Sequence, residues 1–318
     1  MKPTIHQPSA EPREEKVNNR IQVVFHRPEQ VKQPETLADR VRTTAPENLA
    51  AAFEDLEGLI GLQEAKKLMY EIYALLRMNK EREKHNLKLE KQVFHMVFKG
   101  NPGTGKTTVA RIFGKIFREM GVLSKGHLIE AERADLVGEF IGHTAQKTRE
   151  LVRKALGGIL FIDEAYSLGR GGEKDFGKEA IDCLTKALED YGNEFICILA
   201  GYTDEMDAFL EMNPGMPSRF PIQLHFPDYT VDELVKIADS LLEAKEYRMS
   251  PAARGKLRQH LTRMKQDIFS CNFSNARYVR NSLEQAIRKQ AVRLLANQEL
   301  TREDVMTLLP EDFVWPNT

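Results

Sequence analysis

The residues best suited to chemistry form one run, Gly100-Asn101-Pro102-Gly103-Thr104-Gly105-Lys106-Thr107, with Thr108 immediately after it. The run fits G-x-x-x-x-G-K-[S/T] at every fixed position. Glycine has no Cβ, so successive backbone N–H groups can curl around an anion. The apolar stretch Val93-Phe94-His95-Met96-Val97-Phe98 before it reads as a buried strand, and Thr107 to Glu119 after it reads as a helix. A loop between the two delivers an anion to a helix N-terminus, where free N–H groups and the helix dipole favour negative charge. On this reading Lys106 brings positive charge to the β- and γ-phosphates of a nucleotide, and the Thr107 hydroxyl is a ligand for Mg²⁺.

A second group ends another apolar strand. Gly158-Ile159-Leu160-Phe161-Ile162 runs into Asp163 and Glu164. Carboxylates at the mouth of a buried strand need a partner, and in an open parallel sheet ligands bind at the carboxyl ends of the strands. Asp163 is expected to hold Mg²⁺ through water, and Glu164 to polarise the attacking water. Taken alone, the two acids fit an ordinary surface strand end better. Beside Lys106 and Thr107 they specify ATP hydrolysis.

The rest of the chain must position these groups. A third buried strand is expected at Phe195–Ala200, a further one at Leu128–Glu130, and helices at Gln63 to Met78, Thr144 to Ala155 and Phe176 to Tyr191. Buried strands alternating with helices predict an α/β fold with a parallel sheet sandwiched by helices. After Asp228 the strands stop. Thr230 with Glu233 and Thr301 with Asp304 have capping-box spacing, Ser250-Pro251 opens a helix, and Val279, Leu283, Ile287 and Leu294 recur at helical spacing. A small all-helical domain is therefore expected. The domain plan is 1–50 as a proline-rich arm without stable structure, 51–228 as the nucleotide-binding domain, and 229–318 as a helical lid. Within the arm, Ile21–Phe25 has the character of a short strand.

Composition narrows the possible roles. Over 318 residues, 46 basic and 47 acidic side chains give a formal net charge of -1, so no global attraction to nucleic acid or acidic membranes is expected. Cys183, Cys197 and Cys271 are too far apart for a metal site and odd in number, which fits a reducing cytoplasm. Neither a membrane span nor a signal core is apparent.

The acidic pair, rather than a lone Asp, resembles AAA+ proteins. More narrowly, Gly158 to Tyr166, Leu199-Ala200-Gly201-Tyr202 and Asn213-Pro214-Gly215 with Ser218-Arg219-Phe220 resemble the CbxX/CfqX group. The likeness covers about residues 53–295. It implies a P-loop AAA+ sheet followed by a helical lid, ATP and Mg²⁺ as cofactors, and assembly into a ring, a hexamer. The implied output is remodelling of a protein client in bacterial sporulation, with a rubisco-directed role as the other reading within the group. Site by site, Ile60 and Gly61 resemble the adenine-pocket segment. Arg219 resembles the arginine finger that reaches a neighbour's ATP, and Arg277 resembles the sensor-2 arginine. Phe140, Ile141 and Gly142 resemble the first pore loop, and Gly169 to Gly172 a second. The sensor-1 position departs from the broad pattern, leaving Tyr202 or Thr203; register favours Thr203.

Other classes on the same loop fit less well. A GTPase needs an Asn-Lys-x-Asp motif after the loop, whereas Asn79-Lys80 precedes it and lacks the acid. A small-molecule kinase has no use for Arg219 or for a lid of this size. A DNA-directed motor would need a basic stripe interleaved with aromatics, which is absent. A scaffold that binds ATP without hydrolysing it would not need every catalytic position filled.

Overall fold

The computed structural model describes residue 41 and residues 45–89, 92–140, 142–170, 175–266, 273–295 and 299–315. The strand expected at Ile21–Phe25 and residue Cys271 lie outside them. Five parallel strands form the central sheet: β1 (Met96–Gly100), β2 (Leu128–Ala131), β3 (Ile159–Ile162), β4 (Ile196–Gly201) and β5 (Ile222–Phe226), in the order β2-β3-β4-β1-β5. Both faces are covered, so β3 and β4 are apolar at every position, and β1 is apolar except at Lys99. Met96, Phe98, Phe161 and Ile198 pack on one side, and Val97, Leu160, Ile162 and Leu199 on the other. Each side receives alternate residues because the side-chain period of a strand is two.

Order β2-β3-β4-β1 sets β3 and β1 on either side of β4, so their carboxyl ends share one edge of the sheet. The phosphate loop leaves β1 and feeds α3 (Lys106–Glu119), whose Val109, Phe113, Ile116 and Phe117 are buried. Helices α1 (Glu47–Glu57) and α2 (Gln63–Lys84) precede the sheet. Helix α1 spans the expected 50/51 boundary, with Leu49 and Ala50 buried on one side of it and Phe53 and Leu56 on the other. Next come α4 (Arg133–Leu136), α5 (His143–Ala155) and α6 (Gly177–Asp190). The short helices α7 (Thr203–Met212) and α8 (Met216–Arg219) separate β4 from β5.

The C-terminal part contains α9 (Val231–Glu243), α10 (Pro251–Gln266), α11 (Asn275–Leu294) and α12 (Arg302–Met306). Both expected capping boxes form: Thr230 with Glu233 opens α9, and Thr301 with Asp304 opens α12. The expectation that strands end at Asp228 needs correction. Strands β6 (Arg248–Met249) and β7 (Thr307–Leu308) pair in parallel beside the helices. Two-residue strands are too short to leave a period in the sequence. Lid residues Leu234, Leu257, Val279 and Leu283 join the core on the α3 side of the sheet, so the hydrophobic interior is continuous from sheet to lid.

His95 is one of the polar side chains buried in this interior. His95 is 1 % exposed and its Nδ1 accepts the Cys197 N–H at 3.1 Å. It sits between the Phe195 and Phe220 rings. Burial pushes its pKa down from 6.5 to about 4. The unfolded chain therefore takes up a proton as pH falls through 6.5 while the folded chain does not. Stability is lost across that window, by about 2 kcal/mol at pH 5. His95→Asn keeps an acceptor for Cys197 and has nothing to titrate. Its urea midpoint should fall less than wild type's between pH 7 and pH 5; equal falls would rule His95 out as the cause.

Candidate functional site

The carboxyl ends of β1 and β3 open into a cavity of about 940 Å³. Gly100, Pro102, Gly103, Gly105, Lys106, Thr107 and Thr108 form one wall, and Asp163 and Glu164 another. Gly103 and Gly105 have φ of 72° and 98°, the left-handed region that glycine enters without strain. Lys106 Nζ donates to the carbonyls of Gly100 and Asn101 at 2.7 and 2.8 Å, which folds the ammonium back over the loop. Burial lowers the Lys106 pKa, partly opposed by the Asp163 carboxylate. The Glu164 N–H donates to Asp163 Oδ1 at 3.0 Å. Glu164 itself has φ 46° and ψ 43°, a strained conformation for a residue with a side chain. Such strain persists where the surroundings over-determine it, and it clusters at functional sites.

The lid closes over the loop through polar contacts. Asn275 is fully buried with φ 48°. Its Nδ2 donates to Asp228 Oδ1 at 2.8 Å, and its Oδ1 accepts the Tyr229 N–H at 3.1 Å. Asp228 also accepts from Asn101 Nδ2 at 3.0 Å, and the Ala276 N–H donates to the Gly103 carbonyl at 3.1 Å. A Cβ on Gly103 would collide with the Ser274 carbonyl and lie 2.9 Å from the Arg277 nitrogen. Tyr229 donates its hydroxyl to the Thr104 carbonyl at 3.1 Å, and burial raises its pKa to about 12, so it remains a donor. Helix α11 thus starts against the phosphate loop and presents Arg277 and Arg280 to the cavity.

The residues fit a triphosphate and its cation. Inward-curling backbone at a long helix N-terminus, with the Lys106 ammonium and the Arg277 and Arg280 guanidinium groups, makes an anion cradle. The Thr107 hydroxyl and the two carboxylates are hard oxygen donors of the kind that magnesium takes.

The chain matches two family models: the ATPase family associated with various cellular activities (AAA) over residues 96–228, and the AAA lid domain over residues 230–318. It is 58% identical over 259 residues to stage V sporulation protein K of Bacillus subtilis, covering 81% of this chain and 80% of that one. The chain belongs to the AAA+ ATPases, within the CbxX group. Identity is 44% to the chloroplastic ribulose bisphosphate carboxylase/oxygenase activase of Cyanidioschyzon merolae, over 80% of this chain and 87% of that protein. It is 43% to the plasmid-borne protein CbxX of Cupriavidus necator, over 85% and 84%. Among solved structures, a mutant of Thermotoga maritima RuvB superposes with a TM-score of 0.50 at 20% identity, over 82% of this chain and 71% of that one, a likeness of fold. As an AAA+ ATPase the chain is a nucleotide-binding ATP hydrolase.

Not every expected site residue of this AAA+ ATPase reaches the cavity. Asn101 points to Asp228, and Thr104 is buried with its hydroxyl on the Asn101 carbonyl at 2.8 Å. Gly201 and Tyr202 line the cavity, whereas Thr203, favoured by register, opens α7 and is not on the wall. Ile60 and Gly61 lie behind the loop, where a Cβ on Gly61 would sit 3.4 Å from the Tyr229 ring and 2.8 Å from Glu233 Oε1. Phe140 is 64 % exposed beside Gly142, which caps α5; Ile141 lies outside the described residues, as do Gly171 and Gly172. Arg219 is remote from its own chain's cavity, paired with Glu189 and donating Nη1 to the Gly215 carbonyl at 2.6 Å. Arg133, Lys147 and Arg280 line the cavity without having been anticipated. Arg280 had a signal, lying one helical turn beyond Arg277; the other two had none.

Proposed function

We propose that this AAA+ ATPase works as a cytoplasmic ring, a hexamer, that turns ATP hydrolysis into the remodelling of a protein client. Glu164 orients the attacking water and takes up its proton. Lys106 and the loop N–H groups hold the phosphates, Arg277 reaches them from the lid, and Ile60, Gly61 and Tyr229 flank the base. Thr107 and Asp163 would hold magnesium, which would supply positive charge against the phosphates. Tyr202 takes the sensor-1 place that Thr203 was expected to fill.

The observation that carries the ring is the position of Arg219. A site complete in lysine, hydroxyl and acids leaves a guanidinium of the expected finger outside its own cavity, on a surface from which it can serve another copy. Phe140 supports the mechanical output: it touches the His143 ring edge-on and leaves most of its own ring exposed, which suits a grip on another polypeptide. The relative with the highest quoted identity bears a sporulation name, and sporulation is the setting proposed here. A rubisco-directed role is the second reading, favoured by the activase relative.

Size-exclusion chromatography with light scattering tests the assembly. With MgATP and the Glu164→Gln chain, which holds nucleotide, a hexamer is expected; a chain that stays monomeric across millimolar nucleotide would exclude the shared site. Phe140→Ala should hydrolyse ATP and still fail to retain client in a pull-down with the same trap.

A further inference from the structure

Arg133 does three things at once. It lies on the wall of the nucleotide cavity, in the single turn of α4. Its Nη1 donates to the Ser167 carbonyl at 2.5 Å, three residues beyond Glu164. Its Nη2 donates to both carboxylate oxygens of Asp175 at 2.6 Å. Asp175 in turn accepts the Gly177 N–H at 2.7 Å, at the start of α6. The Arg133 guanidinium, followed by the Gly177 N–H, holds the Asp175 carboxyl below its ordinary range. Gly177 has no room for a side chain, because a Cβ there would meet the Leu168 carbonyl and lie 2.9 Å from Arg133 Nη1. A planar fork satisfied on two sides, under a glycine that lets it approach, fixes geometry in a way a flexible ammonium does not.

The other end of α4 is tied just as firmly. Lys147 Nζ donates to the carbonyls of Ala134 and Val137 at 3.2 and 3.1 Å. The Gly138 N–H donates to Thr144 Oγ1 at 3.0 Å. Two residues beyond Gly138, Phe140 stands in solvent. Between Glu164 and Phe140 the contacts run without a break: Ser167 carbonyl, Arg133, α4, Gly138.

We infer that Arg133, clamped by Asp175, is a positioning residue that carries movement of the Asp163–Glu164 strand end to the Phe140 loop. This rests on the proposal above that Phe140 grips the client of a ring driven by ATP hydrolysis. The clamp is needed for transmission, and the nucleotide is bound without it.

Phe140→Trp in a Trp315→Phe background makes a single-tryptophan reporter in the full chain, read as the fluorescence change on adding MgATP with Glu164→Gln present. Asp175→Asn weakens the clamp while keeping a similar shape; Arg133→Gln removes it. The reporter's response should fall roughly fivefold or more in both variants, with MgATP affinity, from titration of a fluorescent ATP analogue, within about threefold of the reporter's own. Arg133→Lys should restore part of the response. An undiminished response in Asp175→Asn, with or without a folded Arg133→Gln, overturns the clamp while leaving the Phe140 reading intact. A reporter silent to MgATP before either change overturns the Phe140 reading and the clamp with it. A tenfold or larger loss of affinity in both variants makes Arg133 a binding group and overturns the positioning role.

Discussion

Glu164→Gln should lower ATP turnover by about 10²–10⁴-fold, the range for losing a general base, while nucleotide binding persists. The substitution is isosteric, so it leaves the left-handed backbone at position 164 and the Glu164 N–H to Asp163 Oδ1 bond in place. It removes the carboxylate proposed to accept a proton from water, and it removes a negative charge facing a triphosphate. Binding should therefore hold or tighten while kcat collapses. Lys106→Ala gives the opposite pattern, because its ammonium contributes to holding the phosphates in the ground state as well. Steady-state hydrolysis measured beside titration with a fluorescent ATP analogue separates the two. If Glu164→Gln turned over at near the wild-type rate, the proton acceptor would have to be another group, and Glu164 would lose its assignment.

What the sequence disclosed and what it withheld divide along the range of the interactions. The phosphate loop, the Asp163–Glu164 strand end and the capping boxes at Thr230 and Thr301 are local, each written within a handful of residues, and each forms where expected. Strand β5 was not anticipated, although Ile222, Leu224 and Phe226 alternate with Gln223 and His225 as a half-buried edge strand should. The choice between Tyr202 and Thr203 depended on a one-residue register at the end of β4. Arg133, Asn275 and Asp228 carry no local mark at all. Asn275 matters because a turn in the lid brings it to Asp228 and the phosphate loop from 47 and 173 positions away along the chain. The type and place of Glu164 are legible in the sequence, and its strain only through the fold.

Arg219→Ala should leave the fold and the site's ATP affinity nearly intact and still cut hydrolysis by about 10³–10⁵-fold, the contribution of an arginine finger in related phosphoryl transfers. Stability should be insensitive because the Glu189 partner is 58 % exposed, and an ion pair at a surface contributes roughly 0–1 kcal/mol. Removing the guanidinium leaves Glu189 hydrated instead of stranding a buried charge. Within its own chain Arg219 is held by Glu189 and the Gly215 carbonyl, while its Nε is buried without a hydrogen-bond partner. An arginine with one donor unused and a solvent-exposed counter-ion gives up little on exchanging that ion for a neighbour's phosphate. On the proposal that the site is shared, two inactive chains should repair each other. Lys106→Ala has no working phosphate loop of its own and keeps its finger; Arg219→Ala has a working loop and lacks the finger. In mixed assemblies some intact loops face intact fingers, so the mixture should hydrolyse ATP faster than the sum of the separate chains. Arg219→Lys should not substitute, since a single ammonium cannot span two phosphoryl oxygens as the planar fork does. If mixing gave no more than the sum while both chains co-assembled, Arg219 would not be acting across the interface.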